Sequence, residues 1–377
     1  MKIQLSEHFT YKKLLRFVLP SIIMMIFTSI YSVVDGLFVS NFVGKTALAA
    51  INLTLPIIMG LSALGFMIGT GGSAIVARML GEKKEEKANE YFSMLIYVTA
   101  GGAILLSILG AVFIPTIASM LGAKGQLLSD CILYARLSFI SMPAFMLQNV
   151  FQSFFVTAEK PHLGLYVIIV AGVTNMILDL LFVGILGFGL AGAAIATVCG
   201  EFIGGLFPIF YFTRENSSLL RLGKTHWNGH VLLQTCINGS SELMTNLSSS
   251  IMNSLYNIQL MKFAGENGVA AYGTMMYINF IFLAIFFGYS IGSAPVISYH
   301  YGAGNQEELK NLFKKSLRLV GTWGISLALL SQLLATPLSK LFVGYDAELF
   351  AMTEHGFRIY CLAYLINGFN IFGSSFF

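Results

Sequence analysis

Four acidic residues lie inside long apolar stretches of this sequence: Asp35, Asp179, Glu201 and Glu242. An ionisable side chain within a membrane-crossing helix is costly, and such groups usually mark solute pathways, proton relays or ion-coupling sites. These residues therefore predict cation chemistry, in which a carboxylate binds a proton, a sodium ion or a positively charged solute. Which of these roles each residue can serve depends on the helices that position it.

The composition is that of a membrane protein. The chain has 377 residues, of which 56% are hydrophobic and only 11% charged, with a mean hydropathy of +0.76. A soluble domain needs about 25% charged residues to solvate its surface. We therefore expect most of the surface to face a lipid bilayer. The net charge of +4 is dispersed along the chain, which argues against a nucleic-acid partner.

A membrane-crossing helix needs about 20 mostly apolar residues. Ten segments have this length and character, and they predict an all-α integral membrane protein. The predicted spans are 17–40, 51–77, 92–114, 132–156, 163–186, 189–213, 232–260, 270–297, 317–336 and 356–376.

Basic residues predict the orientation of these spans. Of the 22 Lys and Arg residues, 16 fall on the side of the N-terminus and 6 on the other side. Cytoplasmic loops carry an excess of Lys and Arg. We therefore predict a multi-pass protein of the cell membrane whose N-terminus is cytoplasmic.

The sequence contains an internal repeat. The stretch 41–50 resembles the stretch 262–271, and Gly72-Ser-Ala is echoed by Gly292-Ser-Ala at nearly the same separation. This register pairs span 1 with span 7 and span 2 with span 8, in the same orientation. Parallel repeats are a transporter architecture, with the substrate site between the halves.

The repeat predicts a two-lobe helical bundle. The first lobe, residues 1–226, has six spans, and the second lobe, residues 227–377, has four. By this register we expect six spans in a complete second lobe, so the sequence is expected to lack the last two helices.

Asp35 and Asp179 are predicted to lie at one depth. Arg16 precedes Asp35 by the same number of positions as Lys160 precedes Asp179, and the two spans run in the same direction. At a rise of about 1.5 Å per residue, each carboxylate is about 28 Å along its helix from the basic residue. Both are therefore expected in the outer part of the membrane.

Two further polar residues, Asn175 and Thr197, are expected at this level. Asn175 lies one helical turn before Asp179, and Thr197 lies on the returning span 6. Neighbouring carboxylates raise each other's proton affinity, and oxygen ligands equally suit a hard cation. The set predicts a proton site or a Na⁺ site at Asp35 and Asp179. Alternatively, the same groups pair with one another and only fix helix packing.

Three other residues are weaker candidates for a substrate or cation cavity. Glu242 lies near the middle of span 7, where it would attract a cationic solute or only bond to Ser240 and Ser241. Glu201 lies one turn after Thr197, and Gln152 lies deep on span 4, where it lines a cavity or bonds to a neighbouring helix.

Several stretches resemble the multidrug and toxic compound extrusion (MATE) family: Leu19-Pro20, Val34–Gly44, Gly71–Gly81, Gly189–Thr197 and Ser298–Asn305. The resemblance implies two six-helix lobes around a central cavity and export of amphipathic, often cationic, compounds by alternating access. Entry of Na⁺ or H⁺ would drive export, with no other cofactor. The family's coupling network has an Asp on span 1, an Asn and an Asp on span 5, and a Thr on span 6, which match Asp35, Asn175, Asp179 and Thr197. We expect a monomer.

Two alternatives have different sequence requirements. A flippase for lipid-linked oligosaccharides or cell-wall precursors shares the architecture, but it needs basic residues inside its cavity, and none lies within a predicted span at mid-membrane. An enzyme is not expected, because the sequence has no HExxH motif and no P-loop.

Overall fold

The computed structural model describes residues 3–38, 42–43, 45–344 and 346–376; within helices it leaves the side chains of 35–38 and of scattered residues in 45–49 and 250–269 undescribed. All regular structure in the described part is helical, which confirms the predicted fold class. The helices are α1 (Tyr11–Phe38), α2 (Lys45–Gly81), α3 (Glu85–Met120), α4 (Gly125–Thr157), α5 (Pro161–Asp179), α6 (Gly189–Thr213), α7 (Gly229–Gly302), α8 (Gln306–Val343), α9 (Ala347–Tyr360) and α10 (Tyr364–Phe376).

Nine stretches of the described helices are long and apolar enough to cross a membrane. The tenth predicted span, 232–260, is helical but is not among them, because Ser, Thr, Asn and Gln residues recur along it. This helix forms the first arm of α7, residues 229–264. The second arm, residues 266–302, begins after Gly265, whose φ of 62° is left-handed and interrupts the helix.

Glycines let the helices of the first lobe approach closely. A side chain on Gly65 would lie 2.9 Å from the carbonyl oxygen of Met146, and one on Gly69 would lie 3.0 Å from Val150 Cα. Both contacts seat α2 against α4, as small residues do in membrane bundles. An aromatic cluster fills the space between α3, α4 and α6 around Phe92, Phe151 and Phe212.

The second lobe packs around Tyr289 on the second arm of α7. Its hydroxyl donates to Ser316 Oγ on α8 at 2.6 Å, and its ring lies 5.9 Å from that of Phe372 on α10. The helices α9 and α10 are joined by a 3₁₀ turn at Cys361–Ala363 and together make one membrane-spanning stretch.

The two lobes meet through contacts that obey the predicted repeat. A side chain on Gly81 would collide with the carbonyl oxygen of Tyr299, and one on Gly302 would collide with that of Arg78. The register that aligns 41–50 with 262–271 also aligns Gly81 with Gly302 and Arg78 with Tyr299. The ends of α2 and α7 therefore cross about a pseudo-twofold axis. The lobe boundary between residues 226 and 227 stays a prediction.

One face of the bundle collects the basic loops. It comprises residues 3–10, the turns 82–84, 158–160 and 303–305, and the linker 214–228, and we call it the basic face. Its loops are joined by hydrogen bonds, among them Lys160 Nζ to Ser217 Oγ at 2.7 Å.

Candidate functional site

Helices α5 and α6 bring two of the predicted site residues together. Gly200 on α6 lets the helices approach, since a side chain there would lie 3.0 Å from the carbonyl oxygen of Ala171 and 3.2 Å from Asn175 Cβ. Asn175 Nδ2 donates to Thr197 Oγ1 at 3.4 Å, and Thr197 Oγ1 donates to the Ala193 carbonyl at 3.1 Å. An amide and a hydroxyl thus lie side by side inside the lobe.

Asp179 lies one turn beyond Asn175 and is completely buried, with an exposed fraction of 0%. It is the last residue of α5, and the chain continues as a π-helix over Leu180–Ile185. π-Helical turns are rare and often occur at functional sites. Burial of a carboxylate is costly unless the group binds a proton or a cation or accepts hydrogen bonds.

Asp35 lies in α1, but its side chain falls outside the described residues, so its contact with Asp179 stays a prediction. The backbone packing is compatible with that contact. Gly172 on α5 faces Phe27 and Tyr31 on α1, where a side chain would meet ring atoms at 2.6 and 2.9 Å. Asp35 follows Tyr31 by one turn.

A cavity of about 1190 Å³ lies where the two lobes face each other. Its wall combines aromatic and thioether side chains, such as Phe66, Phe280, Phe287 and Met25, with many hydroxyl and amide groups. The Ser, Thr, Asn and Gln residues in the lining are Ser29, Thr70, Ser73, Asn149, Gln152, Ser153, Asn228, Gln234, Asn238, Ser241, Asn246, Ser290, Ser298, Ser374 and Ser375.

Two of the weaker candidates lie in this wall. Glu242 lies there on the first arm of α7, half-buried. Gln152 lies there on α4, with an exposed fraction of 5%. Glu201 is half-buried on α6 and does not belong to the described lining. The structure therefore places Glu242 and Gln152 beside a solute-sized space and Glu201 elsewhere.

The amides of α4 divide between the cavity and the lobe interior. Asn149 and Gln152 line the cavity, whereas Gln148 points at α6, where a side chain on Gly204 would collide with it. Gln148 therefore serves helix packing.

The basic face closes one end of the cavity with a set of paired charges. Glu82 accepts hydrogen bonds from Lys84 Nζ at 2.6 Å and from Arg78 Nε at 2.9 Å. The Lys84 ammonium, followed by the Arg78 guanidinium, holds the pKa of the Glu82 carboxyl below its usual range. The Arg78 guanidinium also lies 5.5 Å from the ring centre of Tyr301 in the other lobe. Ionised groups of both signs therefore stand at this end, away from Glu242.

The MatE family model matches residues 20–181 and 243–377, in two parts that correspond to the two lobes. The chain belongs to the MatE family. This family consists of membrane transporters, and the MATE resemblance predicted from the sequence is confirmed.

Curated relatives of this MatE chain include multidrug export proteins MepA of staphylococci. The protein of Staphylococcus haemolyticus is 28% identical over 310 residues, which cover 82% of this chain and 68% of the relative. The protein of Staphylococcus aureus strain MRSA252 is 24% identical over 314 residues, which cover 82% of this chain and 69% of the relative.

Solved MATE structures share the fold. A crystal structure of MATE in complex with MaL6 superposes with a TM-score of 0.91 at 22% identity, covering 98% of this chain and 83% of that chain. An outward-facing multidrug resistance MATE transporter of the MOP superfamily superposes with a TM-score of 0.89 at 23% identity and the same coverage. These structures establish the architecture of this multi-pass MatE protein.

Most of the polar residues that line the MatE cavity were not predicted from the sequence. The signal was present on the first arm of α7, where Gln234, Asn238 and Ser241 recur at intervals of four and three positions. On α2, Thr70 and Ser73 are three positions apart. Such spacing places side chains on one helix face, and both faces line the cavity.

Proposed function

We propose that this MatE transporter exports amphipathic organic cations from the cell in exchange for an entering cation, Na⁺ or H⁺. The observation on which the proposal rests is that two acidic residues lie in different environments. Asp179 is completely buried within the first lobe, whereas Glu242 stands in the wall of the cavity between the lobes. One site suits a small ion and the other suits a large solute.

The cavity fits an organic solute in size and chemistry. Small-molecule sites usually have volumes of about 300–1,000 Å³ and combine apolar walls with a few polar groups, and this cavity is slightly larger at about 1190 Å³. Aromatic faces of Phe66, Phe280 and Phe287 attract cations, and the Glu242 carboxylate supplies a negative charge. Met25 adds an adaptable contact. An amphipathic cation can therefore bind with its charge towards Glu242.

A set of polar residues in the first lobe, of which Asn175 and Asp179 are buried, supports ion coupling. We propose that Asp35, Asn175, Asp179 and Thr197 bind the entering Na⁺ or H⁺. Asn175 Oδ1 has no hydrogen-bond donor among the described residues, so it is available as an oxygen ligand. The ion drives export only if it binds the two lobe arrangements with different affinities.

The described lining favours an exporter over a flippase for anionic, lipid-linked precursors. Arg78, Lys84, Lys87 and His230 lie at the end of the cavity that reaches the basic face. Around Glu242 the described wall contains hydroxyls, amides and aromatic rings. A pyrophosphate held at that level would face a carboxylate rather than a cation.

We further propose that the basic face is cytoplasmic, so that the N-terminus lies inside the cell, and that the transporter works as a monomer in the cell membrane. The positive-inside rule supports this orientation. The staphylococcal relatives are multidrug export proteins, which agrees with the proposed direction of transport.

Efflux of a cationic dye from preloaded cells tests the proposal, with proton and sodium gradients imposed one at a time. We expect one of the two gradients to drive efflux and its collapse to stop it. Empty-vector cells and an Asp179→Asn variant serve as controls. Gradient-independent dye release at the wild-type rate, or transport of neutral dyes only, would contradict the proposal.

A further inference from the structure

The segment that precedes α1 is bound by the opposite lobe. Residues 3–10 lead into the first helix of the first lobe, yet Phe9 is held by α8 of the second lobe. The Phe9 N–H donates to Glu308 Oε1 at 2.9 Å. The Phe9 carbonyl accepts from Lys315 Nζ at 2.6 Å and from Asn311 Nδ2 at 3.1 Å.

Glu308 is the centre of this attachment. Its exposed fraction is 5%, and its second carboxylate oxygen lies 2.5 Å from His8 Nδ1. The Phe9 ring is fully buried and lies edge-on, 6.4 Å from the ring of His300 at the end of α7. A buried carboxylate that receives several hydrogen bonds holds its donors strongly.

The other end of the segment is attached to the first lobe. Leu5 is fully buried, and its N–H donates to Glu159 Oε1 at 2.7 Å. Glu159 lies in the turn between α4 and α5 with a φ of 57°, a left-handed conformation that favours glycine. A glutamate in this strained position contributes a carboxylate that glycine lacks.

The linker between the lobes makes the corresponding crossing. It leads into α7 of the second lobe but is bound by α3 of the first lobe, where the Arg221 N–H donates to Asn89 Oδ1 at 2.6 Å. The register of the repeat aligns Asn89 with the position next to Asn311, the residue that holds Phe9. The linker must cross because it joins α6 of the first lobe to α7 of the second.

We propose that residues 3–10 form a latch that holds the two lobes together at the basic face. The latch must release Glu159 or Glu308 whenever the lobes separate on that side. It supplements the direct contact of Gly81 with Tyr299 and so biases the protein against opening towards the basic face. This inference rests on the proposed alternating access.

Distance measurements between two nitroxide labels test the latch. The labels are placed on the full chain at Glu85 on α3 and Lys314 on α8, both exposed, after replacement of the four native cysteines. Glu308→Ala removes the acceptor in the second lobe. We expect it to raise the population with widely separated labels about tenfold, the scale of hydrogen bonds to a charged group. The matched control is Glu307→Gln, an exposed neighbour in the same helical turn.

Glu159→Gly separates a latch from a merely structural role. Glycine relieves the left-handed strain, so a structural role predicts unchanged or higher thermal stability with the wild-type distance. The latch predicts the same wide-distance population as Glu308→Ala. Opening in both variants, with none in Glu307→Gln, supports the proposal. A wild-type distribution in either variant, or equal opening in Glu307→Gln, overturns it. Because these samples contain neither solute nor gradient, failure of the latch is distinguishable from failure of the proposed transport.

Discussion

Asp179 in the first lobe is completely buried beside Asn175 and Thr197, whereas Glu242 in the second lobe is half-buried in the wall of a cavity. The two acids differ less in chemistry than in what can reach them. Asp179 is enclosed by protein on all sides and lines no described cavity, whereas Glu242 faces a space large enough for an organic solute. Burial, rather than residue type, therefore divides the two proposed roles.

The repeat does not duplicate this chemistry. In the register that aligns Gly81 with Gly302, the position of Glu242 corresponds to the buried Ser21 in the first lobe, and the position of Asp35 corresponds to Tyr256 in the second. The contacts of Gly81 and Gly302, in contrast, are equivalent in the two lobes. The two lobes thus share a scaffold and differ in their polar side chains.

The largest expected effect is that of Asp179→Asn. Asparagine keeps the volume but cannot bind a proton or neutralise a cation, so gradient-driven dye efflux should fall by about 100-fold, towards the upper range of measured coupling energies. Dye binding to purified protein should stay at the wild-type level. Asp130→Asn, in the first turns of α4, is the matched control. Undiminished efflux by the Asp179 variant would contradict the proposed ion-coupling role of Asp179.

Glu242→Gln should weaken binding of a cationic dye about tenfold, because a charge-assisted contact becomes neutral. A neutral dye of similar size should be affected little, since the aromatic wall is unchanged. Titration of both dyes against purified protein measures the difference, with the exposed Glu348→Gln as control. Equal losses for both dyes would indicate that Glu242 supports the wall rather than recognises charge.

Gly81→Ala and Gly302→Ala test the shared scaffold. Each methyl group meets a carbonyl oxygen of the other lobe, and overpacking of this kind costs about 1–3 kcal/mol. The two variants should lower the thermal midpoint by similar amounts. Gly60→Ala has open space around the new methyl group and should be neutral or slightly stabilising. A large difference between Gly81→Ala and Gly302→Ala would contradict the pseudo-twofold relation.

The smallest effect is expected for Thr197. Its hydroxyl accepts a long bond of 3.4 Å and also donates to its own helix, so Thr197→Val should reduce gradient-driven efflux only about threefold. Thr197→Ser should restore the wild-type rate. If Thr197→Val were as inactive as Asp179→Asn, the hydroxyl would be an essential ligand rather than a supporting one.

Hydropathy and the repeat predicted most of the fold. Long apolar runs identified nine of the spans. The register that aligns 41–50 with 262–271 agrees with the reciprocal contacts of Gly81 and Gly302 between the lobes. The first arm of α7 did not reach the hydropathy of the other spans, because its polar residues line the cavity. Amphipathic character, rather than mean hydropathy, was the informative signal in that helix.

The attachment of residues 3–10 could not be predicted from local sequence. Glu308 follows Gly304-Asn-Gln-Glu in a charged turn, which is typical of a solvated loop. It is buried where His8 and Phe9, distant in the chain, contact its carboxylate. His300, at the end of α7, lies against the Phe9 ring of the same segment and has an exposed fraction of only 2%. Burial of this kind depends on tertiary contacts.

The exchange of solute for cation is tested most directly by solute-driven ion flux in proteoliposomes. A gradient of a cationic dye is imposed with no ion gradient, and the movement of Na⁺ and of H⁺ is recorded. The proposed exchange predicts that one of these ions moves against the dye in the wild-type protein and that Asp179→Asn abolishes this movement while dye binding persists. Dye transport without counter-movement of either ion, or ion movement that survives Asp179→Asn, would contradict it.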